Sequence, residues 1–159
     1  MSERGSGLDR LRALWFMLGA FLITAVGASV VLLFIEPDRR ESGINEWAIL
    51  GITVVGAAAA LGVLHGRWFS KPPEDAATGV SVGMFLRVAI IELVWIITFV
   101  FFLLGAVGSS VLLASIGAAV ALTMVFASPT ARLLSHLQYQ LDSVGAAVDI
   151  ESELRKPIG

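Results

Sequence analysis

The sequence contains no cysteine and few charged residues, and each absence excludes a class of protein. Without cysteine, the chain has no disulfide bond, no thiolate chemistry and no cysteine-ligated metal centre. Charged residues account for 15% of the 159 residues, whereas a soluble domain carries about 25%. The formal net charge of -2 is too small to indicate a nucleic-acid partner, and we expect none.

The side chains that catalysis or metal binding requires are also sparse. Histidine occurs only at His65, which ends an apolar stretch, and at His136, which lies beyond the end of another. A bis-histidine haem needs two histidines at facing positions in a helix bundle, so we expect no cofactor. No Ser–His–Asp set, phosphate-binding loop or nucleotide motif occurs. The sequence therefore predicts a protein that is not an enzyme and binds no metal.

Long apolar stretches dominate the chain instead. Apolar residues account for 57% of the sequence, and the mean hydropathy of +0.85 indicates lipid as the solvent. A bilayer core about 30 Å thick is crossed by roughly 20 residues of α-helix. We expect an all-α membrane protein with four transmembrane helices in an antiparallel up-down arrangement, forming a domain over residues 1–128. The predicted spans are residues 13–35, 47–64, 82–104 and 109–127.

Three connections of different character join the predicted spans. Residues 36–46 form a polar loop, and residues 67–79 form a second loop in which Pro72 and Pro73 exclude helix. Residues 105–110 form a tight, uncharged turn. The third and fourth spans are therefore expected to make an antiparallel hairpin.

Lysine and arginine fall mainly on one side of the predicted membrane domain. The opposite side has only Arg39 and Arg40. The positive-inside rule places the richer side in the cytoplasm, and with it both termini. Arg87, inside the third span, belongs near the same side if its side chain snorkels to the interface. We expect the chain to be integral to a plasma or inner membrane.

The segment after the last span, residues 129–159, has a different pattern. Apolar residues recur at three- and four-residue steps with polar residues between them, which predicts a cytoplasmic amphipathic helix. Two settings are open for this helix. It lies against the membrane surface or against the chain's own loops, or else it forms a coiled coil with a partner chain. The residues expected to make this contact are Leu134, Leu137, Leu141, Val144 and Val148.

Glu92 is the main candidate for a functional residue, with Arg87 as its possible partner in an ion-binding site. The carboxyl group lies about a third of the way into the third span, where a charge costs about 2.5–3.5 kcal/mol on insertion scales. The alternative is a structural Glu92 that is protonated or hydrogen-bonded and helps to hold the helices together, for example through Thr53, Thr98 or Thr123. Five residues correspond to about 140° around a helix, so Arg87 and Glu92 do not share a face.

Small residues spaced by four mark the second span. Ala58, Gly62 and Gly66 follow this spacing, and the last two form a GxxxG motif. Such a stripe lets two helix backbones approach closely. We expect it to pack against another helix, either within this bundle or in an oligomer.

One stretch of the chain resembles a known family. Residues 51–62 are rich in glycine and alanine, residues 67–75 form a polar loop with arginine and a Pro-Glu pair, and residues 89–100 carry Glu92 in an apolar run. With these features, residues 51–106 resemble the helical hairpin of the proteolipid (c-type) subunits of rotary ATP synthases. The resemblance implies that Glu92 binds and releases a transported proton or sodium ion.

Three functions follow from these patterns. The first is a non-catalytic accessory or scaffolding subunit of a larger membrane complex, whose partners are the bilayer and other membrane subunits or a second copy of the chain. The second is a proteolipid-like subunit that translocates ions through Glu92. The third is a lipid- or quinone-binding anchor with Arg87, Glu92 and Trp95 lining a crevice between spans.

The predicted orientation can be tested with single cysteines that replace Ser42 and Ser70. A membrane-impermeant thiol reagent applied to intact cells should label the cysteine at position 42 and leave that at position 70 unlabelled, because the two loops face opposite sides. The cysteine-free parent chain gives the background. Equal labelling of both positions in intact cells would refute this orientation.

Overall fold

The computed structural model describes residues 9–32, 34, 45–66, 69 and 74–156. These residues form six helices and no strand. The first four helices are long and apolar enough to cross a membrane, which confirms the all-α membrane class. The helices are α1 (Arg10–Leu32), α2 (Glu46–Gly66), α3 (Ala76–Leu103), α4 (Ser109–Phe126), α5 (Ala131–Ser143) and α6 (Ile150–Leu154). The predictions for residues 36–44, 67, 68 and 70–73 lie outside the described residues.

Helix α3 begins at Ala76 rather than at residue 82, so the predicted loop is wrong at its C-terminal end. Asp75 is the N-cap, and its side chain accepts hydrogen bonds from the Thr78 hydroxyl at 2.6 Å and the Thr78 amide at 3.1 Å. These two bonds, with a smaller contribution from Arg10, lower the pKa of Asp75 to about 2. The two prolines lie before Asp75 and therefore outside the helix, so they do not prevent a helix that this capping aspartate starts.

The turn between α3 and α4 lies where the glycine-rich segment predicts it. Gly105 has a φ of 73°, a conformation that glycine adopts without steric cost. Its amide donates to Phe102 O at 2.9 Å, and the amide of Ala106 donates to Phe101 O at 3.0 Å. This pair of hydrogen bonds is a Schellman motif, which ends α3 and lets α4 return antiparallel to it.

Helix α3 is the centre of the bundle. It packs against both α2 and α4, while α1 packs mainly against α4. The buried residues of α3 recur at three- and four-residue steps along one side of the helix. They run from Val80 and Met84 near its start to Val94, Thr98 and Phe102 near its end.

The C-terminal segment folds back onto the chain's own helices. Leu133, Leu137 and Leu141 of α5 are buried in one apolar cluster with residues of α6 and of the first turns of α1 and α3. The predicted stripe is correct at Leu137 and Leu141, but Leu134 lies at the edge of the cluster and Leu133 replaces it.

Helix α5 is shorter than the apolar pattern implies. It ends at Ser143, because Gly145 adopts a φ of 77° and closes a second Schellman motif, with Ala146 donating to Leu141 O. Val144 and Val148 are therefore not on its buried side, although Val148 packs against the edge of the apolar cluster.

Candidate functional site

The C-terminal end of α2 is the place where α2, α3 and α5 meet through polar contacts. The last carbonyl groups of a helix have no partner within the helix. Leu64 O accepts a hydrogen bond from Arg87 Nη2 at 3.0 Å, and His65 O accepts one from Gln140 Nε2 at 3.1 Å. Side chains of two other helices thus satisfy two carbonyls of the last turn of α2.

Arg87 is held inside the protein rather than at its surface. Its relative exposure is 1%, and Nη1 also donates to Gly83 O at 3.3 Å. The side chain therefore does not extend to the surface, as snorkelling would require, because the carbonyl groups at the end of α2 accept its hydrogen bond. Free carbonyls and the negative end of the helix dipole both favour a guanidinium there.

The two histidines are stacked on each other, although no sequence pattern predicts that they meet. The rings of His65 and His136 are parallel within 4°, with centroids 4.3 Å apart. His136 Nε2 lies 3.2 Å from His65 O and 3.0 Å from Gln140 Nε2. A protonated Nε2 donates to the carbonyl, whereas an unprotonated Nε2 accepts from the amide. One signal was available: His136 and Gln140 are four residues apart and share a face of α5.

Glu92 lies half-buried at the edge of the packed side of α3. Among the described residues, it takes part in no hydrogen bond or ion pair, and Arg87 points towards α2 instead. The hydroxyl groups expected as partners donate to carbonyls of their own helices. These bonds are Thr53 to Ile49 and Leu50, Thr98 to Val94, and Thr123 to Ala119.

Trp95, one turn beyond Glu92, has a buried indole nitrogen with no hydrogen-bond partner among the described residues. Its ring lies against Phe99, with centroids 6.4 Å apart. Glu92 and Trp95 are therefore near one another on α3, but Arg87 belongs to the α2 contact. The crevice expected to be lined by all three residues stays a prediction.

The small-residue stripe of α2 faces away from the bundle. Gly62 and Gly66 are exposed, and a Cβ atom added at either position would meet nothing within 4 Å. Ala58 is half-buried, whereas Ala57 and Leu61 on the neighbouring face are buried. The expectation that this stripe packs within the bundle is wrong, because the bundle uses the face with the larger side chains. Contact with a second chain stays a prediction.

Glu46 fixes the opposite end of α2, a role that the sequence did not indicate. Its Oε2 accepts a hydrogen bond of 2.7 Å from the amide of Gly108. Gly108 is the N-cap of α4 and has no side chain to cap that helix. A carboxylate at a helix N-terminus also interacts favourably with the helix dipole. The N-terminal end of α2 is thus tied to α4, as its C-terminal end is tied to α3 and α5.

No protein-family model, curated protein or solved structure gives a significant match to this chain. The resemblance of residues 51–106 to proteolipid subunits stays a prediction.

Replacing Arg87 with leucine should lower the free energy of unfolding by about 1–3 kcal/mol, because Leu64 O loses its donor in a buried setting. Denaturant titration of the detergent-solubilised protein measures this change. Arg12→Leu is the matched control, since the Arg12 side chain is 71% exposed. If Arg87→Leu is as stable as the control or more stable, relief of the buried charge outweighs the lost hydrogen bond, and the capping role is refuted.

Proposed function

We propose that this chain is a non-catalytic accessory or scaffolding subunit of a larger membrane assembly, and that α2 binds the partner. The observation that carries this proposal is the exposed glycine pair Gly62 and Gly66, which no side chain of the described residues covers. Lipid offers no hydrophobic gain for helix association, so close backbone packing at small residues supplies much of the attraction. An outward stripe of this kind suits a second membrane helix.

The low burial of α2 supports the same proposal. Only 11% of its most apolar window is buried inside the chain, compared with 33% for α3 and for α4. Its two ends are nevertheless fixed by Glu46 and by Arg87. A helix that is held at both ends and open along its length presents a rigid surface, which favours binding because little motion is lost on association.

Gly62→Leu tests the proposed surface. The added side chain would hold a partner backbone away, so the amount of partner that co-purifies in mild detergent should fall about tenfold or more, or by at least about 1.4 kcal/mol of binding free energy. The isolated chain should stay as stable as before, because the site is open. A second copy of the chain counts as a partner and is detected by the mass of the purified particle.

Val63→Leu is the matched control, because Val63 is 61% exposed on the same helix and already carries a branched side chain. It should leave the co-purified partner unchanged. If Gly62→Leu retains the partner as well as Val63→Leu does, the stripe faces lipid and the proposed surface is wrong.

The second candidate function is ion translocation through Glu92. It is favoured by a half-buried carboxyl group within α3 that lacks a hydrogen bond or ion pair among the described residues. Carboxyl groups inside membrane helices are costly and are commonly kept for function. The resemblance to proteolipid subunits implies that the transported ion is a proton or a sodium ion.

A hydrophobic carbodiimide, which modifies protonated carboxyl groups in the membrane, tests this candidate. If Glu92 translocates ions, it should be labelled, labelling should decrease as the pH rises, and Glu92→Gln should abolish ion flux with the fold intact. Glu46 is the control carboxyl, because its Oε2 is engaged by Gly108. If Glu92 is not labelled and the Glu92→Gln variant keeps the full ion flux, translocation through Glu92 is excluded and the accessory role remains.

A further inference from the structure

A cavity of about 450 Å³ lies where the ends of α2 and α4 meet the first turn of α5. Among the described residues, its polar lining consists of His65, His136, Thr130 and Arg132 and includes no carboxylate. The cavity is separate from the small-residue stripe of α2 and from Glu92. Neither of the two functions proposed above makes use of it.

The polar side of this cavity suits an oxyanion. Arg132 is exposed, and its guanidinium makes no hydrogen bond or ion pair with the described residues. The stacked imidazoles of His65 and His136 line the same cavity, and the buried Nδ1 atom of His65 has no hydrogen-bond partner in the described part of the chain. Guanidinium, imidazole and hydroxyl groups together form the donor set that binds phosphate oxygens.

The other side of the cavity is apolar and belongs to the membrane-spanning part of the chain. Met124 and Val125, in the last turn of α4, line it and are 54% and 70% exposed. Phe126 and Leu133 complete this wall. A free phosphate has no apolar group to contact this wall, whereas the acyl chains of a phospholipid would pack against it.

We propose that this cavity binds the head group of one anionic phospholipid. Arg132 and the histidine pair contact the phosphate, and an acyl chain runs along Val125 and Met124. Basic pockets at the ends of membrane helices are the setting in which anionic head groups are held. The bound lipid also touches α2, α4 and α5 together, so it contributes to holding the C-terminal segment against the bundle.

Native mass spectrometry of the full chain tests the proposal, after delipidation and re-addition of phosphatidylglycerol or phosphatidylcholine. The wild-type chain should retain one phosphatidylglycerol and no phosphatidylcholine. Arg132→Gln should weaken retention about fivefold, the usual contribution of one arginine near an anionic lipid. Arg132→Glu should weaken it further. Added glycerol 3-phosphate should not displace the lipid, because it lacks acyl chains.

Arg12→Gln and Arg12→Glu are the matched controls, since they change the charge equally on an exposed side chain of α1. They should retain the lipid as the wild type does. If the substitutions at positions 12 and 132 reduce lipid retention equally, the lipid is held by unspecific charge attraction and the proposed site is refuted. Retention of phosphatidylcholine would remove the selectivity for anions, and displacement by glycerol 3-phosphate would assign the cavity to a soluble phosphate compound instead.

Discussion

Backbone carbonyl groups at the end of a membrane helix must find hydrogen-bond donors, and at the end of α2 the donors are side chains from α3 and α5. Arg87 bonds Leu64 O, and Gln140 bonds His65 O while its own Oε1 accepts from the amide of Phe69 at 3.4 Å. An unsatisfied carbonyl in an apolar setting is costly. This constraint explains why an arginine is buried within a span and why the C-terminal segment returns to the bundle.

The same constraint places the histidine pair and the cavity beside it. Once Gln140 bonds the end of α2, His136 on the same face of α5 is brought over His65. The first turn of α5 then lies near the end of α4, and Arg132 reaches the space between them. The proposed lipid site is therefore a consequence of how α2 is capped, whereas the proposed partner surface lies along the open length of α2.

The sequence predicts the helices well where one physical rule dominates. The length of the apolar stretches locates the four spans, and the glycine at position 105 locates the turn between α3 and α4. Asp75 and Thr78 form a capping pair that marks the start of α3. The neighbouring prolines indicate a loop and hide this signal, so the predicted loop extends too far.

Other features depend on where helices lie relative to one another, which periodicity does not show. A GxxxG stripe looks the same whether it faces the bundle or the outside, so the sequence leaves both settings open for Gly62, and only the structure shows that it faces outward. The Arg87 side chain turns towards α2 because the C-terminal end of α2 lies next to it in the bundle, and the sequence does not show where α2 ends relative to α3. The meeting of His65 and His136 requires that α5 folds back over residues far away in the chain.

The attachment of α5 to the end of α2 is tested most directly by hydrogen–deuterium exchange in Gln140→Leu. This change removes the hydrogen bonds of the Gln140 side chain with His65 O, Phe69 N and His136 Nε2, each worth roughly 0.5–1.5 kcal/mol. The account predicts that the amides of α5 exchange about tenfold faster or more while those of α3 and α4 are unchanged. Tyr139→Leu, at a side chain that is 72% exposed, should leave exchange in α5 as it was. Unchanged exchange of α5 in Gln140→Leu would contradict the account.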